Sequence, residues 1–205
     1  MNLTDMPRTR RLALSATVLV AGALAVTGCA SGSGDPSGSG SSGSGSSSAA
    51  ASGSATTVAA SNDALLAAVA TARDAVGSGT VISVEQEQNG SAWEVLVVTS
   101  DQAEHEVHTN ADGTATTGDP VTDDADADDR AENQRFVDAA KIDVRDAAAR
   151  LTDEVAGAVT ELGLDDHAGT VVWEGDVRDD SGTKHSIRID AGSGDVVTNV
   201  VDTDD

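Results

Sequence analysis

The chain has 205 residues, room for one or two domains, with 35 acidic side chains against 12 basic ones and a formal net charge of −23. A surface so negative repels phosphate backbones, which excludes nucleic acid as a partner and leaves cations, basic proteins or solvent itself. The one cysteine, Cys29, excludes an internal disulfide.

The N-terminus reads as an export signal. Arg8, Arg10 and Arg11 precede an apolar segment, Leu12 to Ala25, that falls short of the roughly 20 apolar residues a spanning helix wants. The paired arginines also resemble a twin-arginine signal, so the export route stays open between that and the general one. The stretch Leu24-Ala25-Val26-Thr27-Gly28-Cys29 follows. It resembles the lipobox of bacterial lipoproteins, with Val26, Thr27 and Gly28 leading into the modified cysteine. The resemblance implies cleavage after Gly28 and a diacylglyceryl group on the Cys29 thiol. The mature protein would then be held by lipid on the extracytoplasmic face of the cell membrane, with no other cofactor. Residues 1–28 are the signal peptide on this reading.

Residues 29–60 are almost entirely Ser, Gly and Ala. Such a composition cannot bury enough apolar surface to offset its conformational entropy, so a flexible tether is expected, with an end-to-end distance of roughly 30 Å.

Foldable sequence begins at Ser61-Asn62-Asp63, which offers helix N-cap chemistry. Leu65, Val69, Ala72 and Val76 follow on one helical face, and Gly77-Ser78-Gly79 ends the helix. Thr80 to Gln88 reads as a strand, Asn89-Gly90 as a hairpin turn, Trp93 to Thr99 and His105 to Thr109 as two more strands. Residues 61–119 thus form a first unit. Residues 120–142 open with Asp119-Pro120 behind them and continue through the acidic block Asp123 to Asp129, expected to be extended and solvated, towards a short helix around Phe136.

Residues 143–205 repeat the pattern. Asp143 caps a helix with Val144, Ala148, Leu151 and Val155 on one face, with Asp146 placed to bond back towards the cap. Strands follow at Val159 to Leu164, Thr170 to Arg178 and His185 to Asp190. Leu65 and Val144 lie 79 residues apart, and Trp93 and Trp173, His105 and His185, and Ala111 and Ala191 each lie 80 apart. The expected fold is α+β: two tandem units, each one helix packed on a three-stranded antiparallel sheet. The run Val95-Leu96-Val97-Val98 is apolar on both faces, which predicts docking through Leu96 and Val98 against the second unit or the segment around Phe136.

Each unit resembles a PepSY domain, the small module of metallopeptidase propeptides and many exported bacterial proteins. The second unit carries the resemblance best, in Trp173-Glu174 and in Ile187-Arg188-Ile189-Asp190-Ala191-Gly192-Ser193-Gly194-Asp195-Val196. The first departs from it at Asn110-Ala111-Asp112-Gly113-Thr114-Ala115, one residue shorter and without the Asp and Val. The resemblance implies binding rather than catalysis, in the form of restraint or chaperoning of an exported peptidase, and supplies no catalytic residues.

Several constellations invite chemistry. His105 and His108 suggest zinc, but three apart on a strand their rings point to opposite faces. Asp124, Asp126 and Asp128 have the alternation of a calcium loop, yet Asp129 stands where the turn glycine belongs and Arg135 where a bidentate Glu is needed. They remain candidates for loose divalent-cation binding and nothing firmer. Trp93 and Trp173 are read first as core, with a sheet-edge anchor for a partner's peptide as the alternative. The expectation is a non-catalytic, membrane-anchored binding protein, partnered by an exported peptidase or another envelope protein. The alternative is an acidic, cation-buffering envelope lipoprotein.

Overall fold

The computed structural model describes residues 61–123 and 125–202. In chain order they form α1 (Asn62–Val76), β1 (Thr80–Glu87), β2 (Ala92–Val98), β3 (Glu104–Asn110), β4 (Val121–Asp123), α2 (Ala127–Ala139), α3 (Val144–Glu154), β5 (Gly157–His167), β6 (Thr170–Asp179), β7 (Lys184–Asp190) and β8 (Val196–Val201). The class is mixed α+β. Eight strands make one sheet in the order β4-β3-β2-β1-β5-β6-β7-β8, each neighbouring pair antiparallel.

The three-stranded sheets expected from sequence are therefore corrected. β4 and β8 are fourth strands at the two outer edges, and one continuous ladder joins everything. Pro120 does break the chain, but β4 starts one residue beyond it, on an edge where proline's missing N–H is tolerated. The first four strands meet the last four edge to edge, through Ser83↔Gly163, Val84↔Leu162 and Glu85↔Glu161. That ladder is the strand pairing that joins them, while on the outer face Val98 is 2% exposed and Leu96 half-buried.

One face of the sheet carries α1 and α3. Leu65, Ala68, Val69 and Ala72 of α1 and Val144, Ala147, Ala148 and Leu151 of α3 form the buried stripes. They meet Val84, Trp93, Val95, Val97 and Val107 on one side of the β1–β5 seam and Leu162, Trp173, Val177, Ile187 and Ile189 on the other, in one cluster that includes Phe136 of α2. Burying a Val or Leu so fully is worth roughly 1.5–3 kcal/mol. At Gly175 a side chain would run into Leu151, so the missing Cβ lets α3 lie close on β6.

The helix starts differ from expectation in an instructive way. Ser61 makes no side-chain cap. Asn62 instead donates from Nδ2 to the Gly157 carbonyl (3.0 Å) and accepts from the Val159 N–H (2.9 Å), fastening α1 to β5. Asp143 caps α3 by accepting from the N–H groups of Arg145 and Asp146. A reciprocal capping box sits on α2, between Asp126 and Asp129. The acidic block is thus partly a helix N-terminus, where carboxylates meet unpaired N–H groups and the positive end of the dipole.

Candidate functional site

The face opposite α1 and α3 is acidic. Because strand side chains alternate, burying Trp93, Val95, Val107, Leu162, Trp173 and Ile187 under the helices turns Glu94, Glu106, His108, Glu161, Glu174 and Asp176 the other way. The register sets four of these, with Glu85 and Ser186, in one row across six strands: His108, Glu94, Glu85, Glu161, Asp176 and Ser186. Adjacent strands lie about 4.8 Å apart, so four carboxylates follow one another at that spacing. Like charges directly opposite one another in a sheet repel.

The two ends of the row are relieved differently. Lys184 Nζ lies 2.8 Å from Asp176 Oδ2 and 3.3 Å from Asp202 Oδ2, and Arg188 grips Glu174 with two bonds of 2.8 and 2.7 Å. No lysine or arginine occurs between Arg73 and Arg130, so β1 to β4 bring no such group. Their acidic patch has His108 instead. His108 Nε2 is 2.7 Å from Glu106 Oε1, and Nδ1 is 3.6 Å from Glu87 Oε2. Donor atoms of Glu87, Glu94 and His108 all lie within 4.8 Å of one another.

The crowding shows in the titration of the carboxyls. Glu94 is pushed up to about 7, by burial first and then by the charges of Glu106 and Glu87, with His108 pulling the other way. Glu161 is pushed up to about 7 by burial, then by Glu85 and Asp176. Glu85 is raised too, by burial and then by Glu87 and Asp176.

The residues singled out from sequence fall elsewhere. Trp93 is 0% and Trp173 1% exposed, both within the core. Their indole N–H groups donate to the Ala111 carbonyl (3.0 Å) and the Ile142 carbonyl (3.1 Å). Buried on all sides and hydrogen-bonded, neither ring is offered to a partner; of the two readings, core packing accounts for them. Asp126 accepts from the N–H groups of Asp128 and Asp129 at 2.8 and 3.1 Å, so its carboxylate is occupied in capping. Asp124 lies outside the described residues, as do Cys29, Val26, Thr27 and Gly28. His105 does point away from His108: it lies by Thr99 and Thr122, with ring nitrogens 3.4 and 3.0 Å from their hydroxyls.

Glu87 and Glu94 were missed because they reach His108 from two other strands, across registers that no local pattern reveals, whereas Glu106 shares its face by alternation along β3. A signal was present in the complete lack of lysine and arginine from 74 to 129. Elsewhere, a cleft of about 300 Å³ between the end of α1 and the α2–α3 connection is lined by Arg73, Lys141 and Arg145 among others. Among the described residues no helix is long and apolar enough to cross a membrane.

Comparison with known proteins supplies a family for part of the chain. Residues 141–198 match the PepSY domain, described as the peptidase propeptide and YPEB domain. No curated protein matches the sequence. Among solved structures, the chain is similar to a protein of Clostridium difficile 630 described as a candidate lipoprotein, with 18% identity over 66% of this chain and 90% of that one, at a TM-score of 0.42. It is also similar to the YpmB protein from Bacillus subtilis, with 17% identity over 65% of this chain and 96% of that one, at a TM-score of 0.31.

Proposed function

We propose that this is a lipoprotein anchored through Cys29 to the extracytoplasmic face of the cell membrane, and that its folded head binds another exported protein without catalysing a reaction. The observation that carries the reading is the PepSY match at residues 141–198, since PepSY domains are non-catalytic, propeptide-like modules. The element order supports extending it to the whole head as two tandem units: a helix and four strands, α1 with β1 to β4, recur as α3 with β5 to β8. A secreted peptidase is the client such a module suggests, restrained or chaperoned as by a propeptide.

Crosslinking the full-length protein in its native envelope, followed by affinity capture, tests this reading. Stoichiometric recovery of one exported peptidase, with activity lowered in the complex, supports it; capture of no protein overturns it. The anchor is tested separately. Cys29→Ser should yield unprocessed or released protein, and a cleaved variant that still sediments with membranes would overturn the lipid anchor.

A second reading has its own support in the acidic sheet face: an envelope protein that buffers cations. It predicts no protein partner and several weakly held divalent ions per chain, which separates it from the first.

A further inference from the structure

We propose that Glu87, Glu94 and His108 form a binding site for one divalent transition-metal ion, of which zinc is the reference case, with Glu106 as its supporting partner. The set is assembled from the end of β1, the middle of β2 and β3, and its donor atoms already lie within 4.8 Å of one another. Ligands bound to zinc at about 2.0–2.2 Å sit roughly 3–3.5 Å apart, a closure that side-chain rotation supplies. Two carboxylates and one imidazole suit zinc and its first-row neighbours, whereas calcium and magnesium prefer oxygen alone.

Two further observations point to a cation. The first is the arrangement around the imidazole. His108 Nε2 lies 2.7 Å from Glu106 Oε1 and Nδ1 lies 3.6 Å from Glu87 Oε2, so the ring is held between two carboxylates with its Nδ1 edge turned towards Glu87. A carboxylate on the far nitrogen is also what metal-bound histidines have as outer partner, since it fixes the tautomer and strengthens the donor nitrogen. The second is the charge balance. The second half of the sheet meets its carboxylates with Lys184 and Arg188, while β1 to β4, on the same face, hold no lysine or arginine at all. Glu87 and His108 are about a third exposed, so the site is open to an ion yet sheltered from bulk solvent.

The site differs from the Asp124, Asp126 and Asp128 block, in which Asp126 is engaged in capping. It does not depend on lipidation or on any protein partner.

The test is zinc binding to the full chain carrying Cys29→Ser, which removes the one thiol, by isothermal titration at pH 7.5. One zinc ion per chain should bind saturably, and neither calcium nor magnesium at equal concentration should displace it. Glu94→Gln and His108→Gln should each weaken binding at least tenfold, while His105→Gln and His185→Gln leave it unchanged. Circular dichroism in EDTA keeps the result interpretable, because Glu94→Gln removes a repelling charge and should melt no lower than its parent. Absence of saturable binding would overturn the site. So would binding insensitive to Glu94 and His108, or calcium competing as an equal, since either means that zinc merely joins the counterions of an acidic surface.

Discussion

Glu85 and Glu161 stand directly opposite one another in the β1–β5 ladder, so the pairing that joins the two halves of the sheet sets two carboxylates face to face. Glu94 flanks Glu85 and Asp176 flanks Glu161 on the neighbouring strands. The seam is stabilised by backbone pairing and by the Val84–Leu162 contact beneath it, and opposed by the charges above.

The seam should therefore strengthen on mild acidification. Glu161 titrates at about 7 in the folded chain against 4.5 as an ordinary glutamate, raised by burial and then by Glu85 and Asp176. A carboxyl raised in this way binds more protons folded than unfolded between those two values, so stability falls as pH rises from about 4.5 through about 7. After allowance for solvent screening of a part-exposed group, about 1–2 kcal/mol is at stake. The aspartates with lowered values, such as Asp179 at about 2 through its bonds with Ser181 and Thr183, titrate below this window. Urea denaturation at pH 5 and pH 8 should show the parent losing stability with rising pH and Glu161→Gln losing less. Identical slopes for both would remove Glu161 as the cause.

Gly113 should be intolerant of any side chain. It turns the chain at φ +70°, and a Cβ there would run into the Ala64 carbonyl and the Ala68 nitrogen of α1, where Thr71 Oγ1 also bonds to the Gly113 carbonyl at 2.7 Å. Gly118 has nothing within 4 Å of such an atom. We expect Gly113→Ala to cost about 2–4 kcal/mol and Gly118→Ala less than about 0.5. Comparable melting temperatures for the pair would contradict the packing described for this turn.

Trp173→Phe leaves the Ile142 carbonyl without its indole partner and a gap beside Leu164 and Ile189, its cross-strand neighbours. A loss of about 1–3 kcal/mol follows. Trp93→Phe should act alike through Ala111. Fluorescence supplies a second check: both indoles are buried, so each single-tryptophan variant should emit at short wavelength until denaturant is added. A long-wavelength native spectrum from either would place that ring at the surface.

Asp126→Ala should remove the capping box of α2 and cost about 1 kcal/mol, seen as a lowered melting temperature. Saturating calcium should not restore it, because the Asp126 carboxylate serves N–H groups. Recovery with calcium would return this aspartate to the role of ion ligand.

Much of this fold was legible in the sequence because it rests on local signals. The α1 and α3 stripes, the turns and the recurrence of Trp93 at Trp173 each need only neighbouring residues or a fixed offset. The Asn89-Gly90 turn was legible too, though the loop is longer than a two-residue hairpin: Gln88 to Gly90 form a short 3-10 turn with Asn89 left-handed. What escaped is non-local. β4 and β8 are edge strands whose valines are largely exposed, Val200 at 56%, so neither shows the alternation of a half-buried strand. The β1–β5 seam depends on which free edge meets which, and nothing in either strand announces its partner. The helix start at Ala127 lay hidden in an acidic run because one of its five aspartates, Asp126, is a cap rather than a repelled charge. The Glu87, Glu94 and His108 cluster needs two registers at once, β1 on β2 and β2 on β3.

The β1–β5 pairing closes two strand edges against one another inside one chain. Two antiparallel edge strands, each following the helix of its own half, satisfy one another as identical subunits would in an isologous interface. Here the partner is supplied by the connection through α2, at an effective concentration set by that tether rather than by how much protein the cell holds. Assembly of the sheet is thus independent of dilution, whereas a separated half would depend on it. Both inner edges are consumed in the process, so a further strand could extend the sheet only at β4 or β8.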